Sequence, residues 1–382
     1  MLPLSELLAE LVRTPSINPM GRTDIPPELC GEGRVADVWE RHLRTLGVSV
    51  ERQQVEPGHD NIIAHYIPPT PATATLLFEA HTDTVPVDGM TVEPFAARVE
   101  NGRMYGRGAC DVKAGGVAMF GAFRRLVAER PPGSAAVILA FAVDEEHTFH
   151  GVQHLMRSGV KADFAVVAEP TRLNIVRQHK GVVRWKLSTT GVACHSSAPE
   201  RGVSAVFRMA KVLAAVEEYA RKLQATKVHP QLGPATLSVG LIDGGVSPNT
   251  VPDKCSIHLD RRLLPGESGE EAMEDVTRFV RGWPGIDFPI YTVLSLDCPA
   301  LPAEGGDEWV SKLGDAINSV VGQHEIHAVP YGTDASTIRQ AGIPAVVFGP
   351  GDIAQAHTKD EWVELSQVEQ AAEVLFRFAC QK

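Results

Sequence analysis

Apolar runs bounded by polar residues recur along the first 177 positions, and their length sorts them into elements. The segments TLLFEA (75–80), AAVILAFAV (135–143) and DFAVVAE (163–169) are short and almost continuously apolar, which reads as strands buried on both faces. Between the first two, the stretch from Val112 to about Arg130 reads as a helix, and the opening MLPLSELLAELVRTPS as an amphipathic first helix. The same texture returns near the end, where HAVPYG (327–332) and IPAVVFG (343–349) are strand-like and SQVEQAAEVLFRFA (366–379) is helical. This alternation predicts an α/β fold in which residues 1–177 and 296–382 share one sheet and form one domain.

Between those two parts the pattern changes. VVRWKLSTTG (182–191), ATLSVGLIDGG (235–245) and KCSIHLDRRL (254–263) alternate with period two and are separated by helical stretches such as VSAVFRMAKVLAAVEEYARKL (203–223). An antiparallel sheet with helices on one face follows, so an inserted α+β domain is predicted over 178–295. The length of 382 residues supports the division, because a single core rarely grows past about 250–300 residues.

Composition narrows the function classes. No apolar stretch reaches the roughly 20 residues needed to span a bilayer, and the N-terminus lacks a basic leader, so a protein without membrane association is expected. A net charge of −11 disfavours nucleic acid and anionic membranes as partners. The six cysteines (Cys30, Cys110, Cys194, Cys255, Cys298, Cys380) are scattered without a C-x-x-C pair, which suits free thiols in the cytoplasm.

The candidate chemistry lies at the ends of the predicted strands. His81, Asp111, Glu146, Glu169 and His357 each stand just past an apolar run, and Glu145 lies beside one of them. In an open α/β sheet the loops at the carboxyl ends of the strands converge on one crevice, so these groups should meet. Imidazole nitrogens and carboxylate oxygens in this number suit two divalent ions about 3.5–4 Å apart that share one carboxylate, with one acidic residue left for proton transfer. Asp83, two residues after His81, is placed to accept the second ring N–H of that histidine. Each motif has a plainer reading by itself, His-x-Asp as a polar turn and Asp144-Glu145-Glu146 as a solvated one; the joint occurrence carries the argument. The chain has no G-x-x-x-x-G-K-[ST] and no G-x-S-x-G, and Asp111 occupies the third glycine's place in a would-be G-x-G-x-x-G, which removes nucleotide- and serine-dependent alternatives.

Taken in order, HTDTVPVDG (81–89), YGRGACDVKAG (105–115), DEEH (144–147), AEPT (168–171), CHSSAPERGVSA (194–205) and GPGDIAQAHTKDEW (349–362) resemble the two-zinc peptidase and deacylase family. That family includes acetylornithine deacetylase, succinyl-diaminopimelate desuccinylase, aminoacylase and glutamate carboxypeptidases. The resemblance implies a zinc-exopeptidase-like catalytic domain with a central mixed sheet and helices on both faces, and an inserted lid and dimerisation domain that makes a homodimer. It implies two divalent ions, zinc first, with cobalt or manganese fitting the same donors. Asp111 would bridge them, with His81 and Glu169 on one and Glu146 and His357 on the other, Glu145 as general base, and a cis peptide bond after Asp111. His195 resembles the family's oxyanion-stabilising histidine, often supplied by the partner subunit; Asn249 and Arg262 resemble residues that hold the substrate carboxylate, and Thr333 lies in a substrate-side loop. The implied reaction is hydrolysis of the amide bond of an N-acyl amino acid or short peptide. The segment GTDAS followed by GPGDIAQAH is most like the acetylornithine deacetylase branch, although that branch usually has Glu where this chain has Asp334. Desuccinylase, aminoacylase, and dipeptidase or carboxypeptidase activities are the alternatives within the family, and a non-catalytic binding protein on the same fold the remote one.

Overall fold

Short apolar strands that need cover on both faces assemble, in the computed structural model, into a mixed eight-stranded sheet; the structure describes residues 2–381. The chain divides into two units. The first comprises the chain up to Arg177, Ala303–His327 and the chain from Thr333; the second comprises Gln178–Pro302 and Ala328–Gly332.

In the first unit the strand order is Val50–Glu56, His59–Tyr66, Ala136–Ala142, Thr75–His81, Phe164–Val167 and Ala345–Val347, continuing to Ile175–His179 and Ile326–Val329. Thr75–His81 lies parallel to both Ala136–Ala142 and Phe164–Val167, and Ala345–Val347 is parallel to Phe164–Val167. Val50–Glu56 and His59–Tyr66 add an antiparallel edge. Alternate residues face opposite ways, and Leu76, Phe78 and Ala80 enter the main core with the helices Leu4–Arg13, Gly33–Arg44, Lys113–Glu129 and Leu365–Cys380. Trp39 stacks on Phe141 there, with ring centroids 3.8 Å apart. The opposite face is covered as well: Asn61, which points away from that core, donates to the Gly151 carbonyl (2.9 Å) in the helix His150–Arg157.

In the second unit the order is Thr236–Gly244, Lys254–Leu263, Gly181–Thr190 and Ile290–Cys298, all antiparallel. Val183, Trp185 and Leu187 alternate with Arg184, Lys186 and Ser188, and the apolar three meet Met209, Val212 and Val216 of the helix Ala205–Thr226 and Val276 and Val280 of Gly269–Arg281. Ser204 and Ser268 cap these helices by accepting the N–H groups of Phe207 and Glu271.

Two expected boundaries shift. The predicted end at 295 falls inside the strand Ile290–Cys298, whose pairing with Gly181–Thr190 runs on to Cys298 opposite Val182. A register irregularity between Leu294 and Leu296 breaks the period-two pattern that would have marked this strand. HAVPYG, expected wholly in the first domain, is divided: its strand ends at Val329, and Ala328–Gly332 belongs to the second unit.

Candidate functional site

Because the four inner strands of the first unit run parallel, the residues that follow them emerge at one edge of the sheet. His81 ends its strand, Glu145 and Glu146 follow Ala136–Ala142, Glu169 follows Phe164–Val167, and His357 comes after Ala345–Val347 and a short loop. Asp111 stands just before the helix Lys113–Glu129, and the Asp111–Val112 peptide bond is cis. That helix approaches the sheet closely at its start. A Cβ at Gly115 would lie 2.7 Å from the Ala168 Cβ, so glycine is what allows Asp111 and Glu169 to be neighbours.

The carboxylate of Asp111 lies between two imidazoles. Its Oδ1 is 3.2 Å from His81 Nε2, and its Oδ2 is 3.2 Å from His357 Nε2. Glu146 Oε2 is 3.1 Å from His357 Nε2, while Glu169 Oε1 is 4.0 Å from His81 Nε2. Donor atoms of His81, Asp111 and Glu146 all fall within 4.8 Å of one another, as do those of His81, Glu145 and Glu169. His81, Asp111, Glu145 and Glu169 are buried, and the Glu146 side chain is 7% exposed; His357 is half-exposed.

Charge in this cluster is unbalanced. Five carboxyl groups, Asp83, Asp111, Glu145, Glu146 and Glu169, face two imidazoles. Burial pushes Glu145 and Glu169 well above the usual carboxylate range, partly relieved by His81, and raises Glu146. Burial also acts on Asp111, but the His357 and His81 imidazoles outweigh it and hold that carboxyl below its ordinary value. Hydrogen bonds to Asp111 and Glu146 raise His357 to about 11, and Asp111 and Asp83 raise His81 despite its burial. A buried excess of anionic oxygen with two imidazole nitrogens is a donor set that fits divalent cations.

Asp83 does more than was expected of it. Its Oδ1 lies 3.3 Å from His81 Nδ1, yet that ring nitrogen is closer to the Asp83 backbone carbonyl, at 3.1 Å. The carboxylate also accepts the backbone N–H groups of Glu145 and Glu146 (both 3.1 Å) and the Asn18 side-chain amide (3.0 Å). It therefore fixes the turn that carries both glutamates.

The remaining expected residues divide between the two units. Thr333 is buried in the first unit and caps the helix Asp334–Gln340 by accepting the Ala335 N–H at 3.2 Å. His195, Asn249 and Arg262 belong to the second unit. There His195 pairs across from Thr250, and Ser196 donates to the Asn249 carbonyl (3.0 Å), so His195 and Asn249 are neighbours. Arg262 donates Nε to Asp260 at 2.8 Å, and Asp260 also accepts from Arg184. Sequence reasoning missed Asn18, which joins Asp83 to Asp144, and Glu361, which holds the Asp111 loop. It also missed a buried carboxyl pair, Glu79 with Asp334, in which burial pushes Glu79 up to about 8 and Asp334 well above its ordinary value. No local pattern could have signalled these, since the partners are distant in sequence.

This fold and this cluster define a class of metal-dependent hydrolase, and comparison with known proteins agrees. Residues 77–381 match the family model for peptidase family M20/M25/M40. The chain is 30% identical to acetylornithine deacetylase of Proteus mirabilis over 97% of its own length and 94% of that protein's. It is 32% identical to acetylornithine deacetylase of Vibrio cholerae over 88% of each. Among solved structures it is similar to the M20 metallo-carboxypeptidase Sso-CP2 of Sulfolobus solfataricus, with a TM-score of 0.79, 20% identity and 99% of each chain covered. It also matches the YXEP protein of Bacillus subtilis, described as a dinuclear metal binding peptidase, with a TM-score of 0.70, 16% identity, and 99% of this chain and 96% of that one covered. At these identities the two structures speak to the fold alone. The chain belongs to peptidase family M20/M25/M40, a family of hydrolases.

Proposed function

We propose that the protein hydrolyses the amide bond of a small N-acyl amino acid, in the manner of an acetylornithine deacetylase, at a site holding two divalent cations, zinc first among them. The observation that carries this reading is the Asp111 carboxylate, each of whose oxygens faces a different imidazole 3.2 Å away. His81 and Glu169 would hold one cation, Glu146 and His357 the other, with Asp111 shared. When bound, the cations would polarise the amide carbonyl and make water acidic.

Glu145 is the base in this scheme. It is buried beside His81 and Glu169, with donor atoms of the three within 4.8 Å of one another, where its carboxylate can accept a proton and return it to the leaving amine. Asp83 orients both Glu145 and His81. His195, Asn249, Arg262 and Thr333 keep the substrate-contact roles that the family resemblance implies: His195 for the oxyanion, Asn249 and Arg262 for the substrate carboxylate.

The same reading assigns a homodimer formed through the second unit, whose edge strands expose Leu241, Ile242, Tyr291 and Val293. Light scattering tests it, and a strictly monomeric active protein contradicts it. A cytoplasmic location is assigned from the free thiols of Cys30, Cys110, Cys194, Cys255 and Cys380. Among the described residues no helix is long and apolar enough to cross a membrane.

The deciding experiment measures amine release from N-acetylornithine, N-succinyl amino acids and dipeptides, before and after chelation and with zinc or cobalt restored. Chelator-sensitive cleavage of N-acetylornithine above the rest supports the proposal. Preference for a succinyl or dipeptide substrate keeps the chemistry and changes the substrate. Absence of turnover with cation bound favours a binding protein.

A further inference from the structure

One residue outside the cation cluster holds the loop that carries Asp111. Glu361 is fully buried, and its Oε1 accepts the backbone N–H groups of Cys110 (2.8 Å) and Asp111 (3.0 Å). Its Oε2 accepts the N–H of Gly108 (3.0 Å) and Nη1 of Arg107 (2.7 Å), and its own carbonyl accepts the Gly106 N–H (3.0 Å). All four groups around the side chain are donors. Only an acceptor at both oxygens satisfies them.

Glu361 also lies in the segment that ends the site. His357 is four residues before it, and the strand Trp362–Glu364 directly after it pairs antiparallel with Arg103–Tyr105, directly before the Asp111 loop. The segment carrying His357 and the loop carrying Asp111 are therefore fastened to each other by the strand pair, by the Glu361 carbonyl and by the Glu361 carboxylate. Both imidazole-facing oxygens of Asp111 depend on where this loop lies.

We propose that Glu361 is a positioning residue for the cation site, setting the separation of Asp111 and His357 by clamping the 106–111 loop through its two carboxylate oxygens. The inference rests on the reading of Asp111 and His357 as cation ligands. Glutamine at this position would have nearly the same shape but would turn an N–H₂ toward one pair of donors. The loop must then move away from that end, and a ligand displaced by more than about 0.5 Å no longer meets a cation with its intended geometry.

The test is a cobalt(II) titration of chelator-treated wild type and Glu361→Gln, followed by calorimetry and by visible d–d absorption, with thermal melts of both metal-free proteins. The expected result is cobalt binding weaker by roughly 10- to 100-fold in the variant, the range for loss of a partner that orients a ligand, together with an altered d–d band. A merely structural residue would lower the melting temperature and leave affinity and spectrum unchanged; that result overturns the inference. If Glu361→Gln does not fold, Glu361→Asp decides in the same terms. Its shorter carboxylate keeps the charge but cannot reach both donor pairs, so wild-type cobalt binding in that variant overturns the inference as well. Wild-type protein that takes up no cobalt refutes the two-cation reading itself, a result distinct from equal binding by wild type and variant.

Discussion

Replacing Asp83 by asparagine removes one charge and almost no volume, and the geometry around it sets the size of the effect. The carboxylate is 1% exposed and receives three hydrogen bonds, from the Glu145 N–H at Oδ1 and from the Glu146 N–H and Asn18 Nδ2 at Oδ2. An amide has one acceptor end. If its N–H₂ takes the Oδ2 position, two donors lose their acceptor. If it takes the Oδ1 position, only the Glu145 N–H does, and the new N–H₂ faces His81 Nδ1 from 3.3 Å. The second arrangement is the cheaper, and one buried donor left unsatisfied costs about 1–3 kcal/mol. The His81 tautomer is held meanwhile by the Asp83 backbone carbonyl at 3.1 Å, so the histidine is weakened as a ligand rather than lost. Asp83→Asn is thus expected to unfold with a stability lower by about 1–3 kcal/mol and to lose roughly 10- to 100-fold in kcat/KM. Urea denaturation of the metal-free protein and steady-state assay with cation restored measure the two effects. A variant with stability and kcat/KM both within twofold of wild type in the corresponding constants would refute the reasoning.

Three further outcomes follow, two from the packing around particular residues and one from the proposed role of Arg262. A Cβ at Gly349 would stand 2.6 Å from the Glu169 backbone oxygen, so Gly349→Ala must move Glu169; a shift near 1 Å costs on the order of 100-fold in turnover, read by kcat/KM against an unchanged circular dichroism spectrum. His179 is fully buried and burial pushes its imidazole down from 6.5 to about 4, so the unfolded chain takes up the proton first as pH falls. Its contribution is fully present above pH 6.5 and is lost on acidification toward pH 4, amounting to about 3 kcal/mol at the acid end; denaturation at a series of pH values should show this limb, and His179→Gln should flatten it. On the proposed role of Arg262 in holding the substrate carboxylate, Arg262→Lys replaces a planar fork with a single ammonium and is expected to raise KM about tenfold with kcat little changed.

The fold was legible where burial was simple. Strands such as Thr75–His81 and Phe164–Val167 have almost every residue covered and so stand out as unbroken apolar runs, and Val183, Trp185 and Leu187 alternate cleanly over the helices of the second unit. The edge strand Val50–Glu56 did not stand out, because only Gln53 in VERQQVE is buried and that residue is polar. Ile290–Cys298 was cut short because its irregular register hides the alternation. In the site, His81, Glu145, Glu146, Glu169 and His357 could be named from their positions after strands, since parallel strands bring their carboxyl ends to one edge, and Asp111 from its Gly-rich loop opening a helix. The residues that support them could not. Asn18 reaches Asp83 across 65 positions, and Glu361 reaches Asp111 across 250, and neither contact leaves a local pattern in the sequence.

The central claim is that Glu145 moves the proton at a site whose cations are held by its neighbours. It is tested most directly by turnover of Glu145→Gln on the preferred substrate, using protein whose cation content matches wild type. The account predicts a fall of at least about 10²- to 10⁴-fold in kcat with cation retained, the usual contribution of a general base. Near-normal turnover in that variant would contradict it.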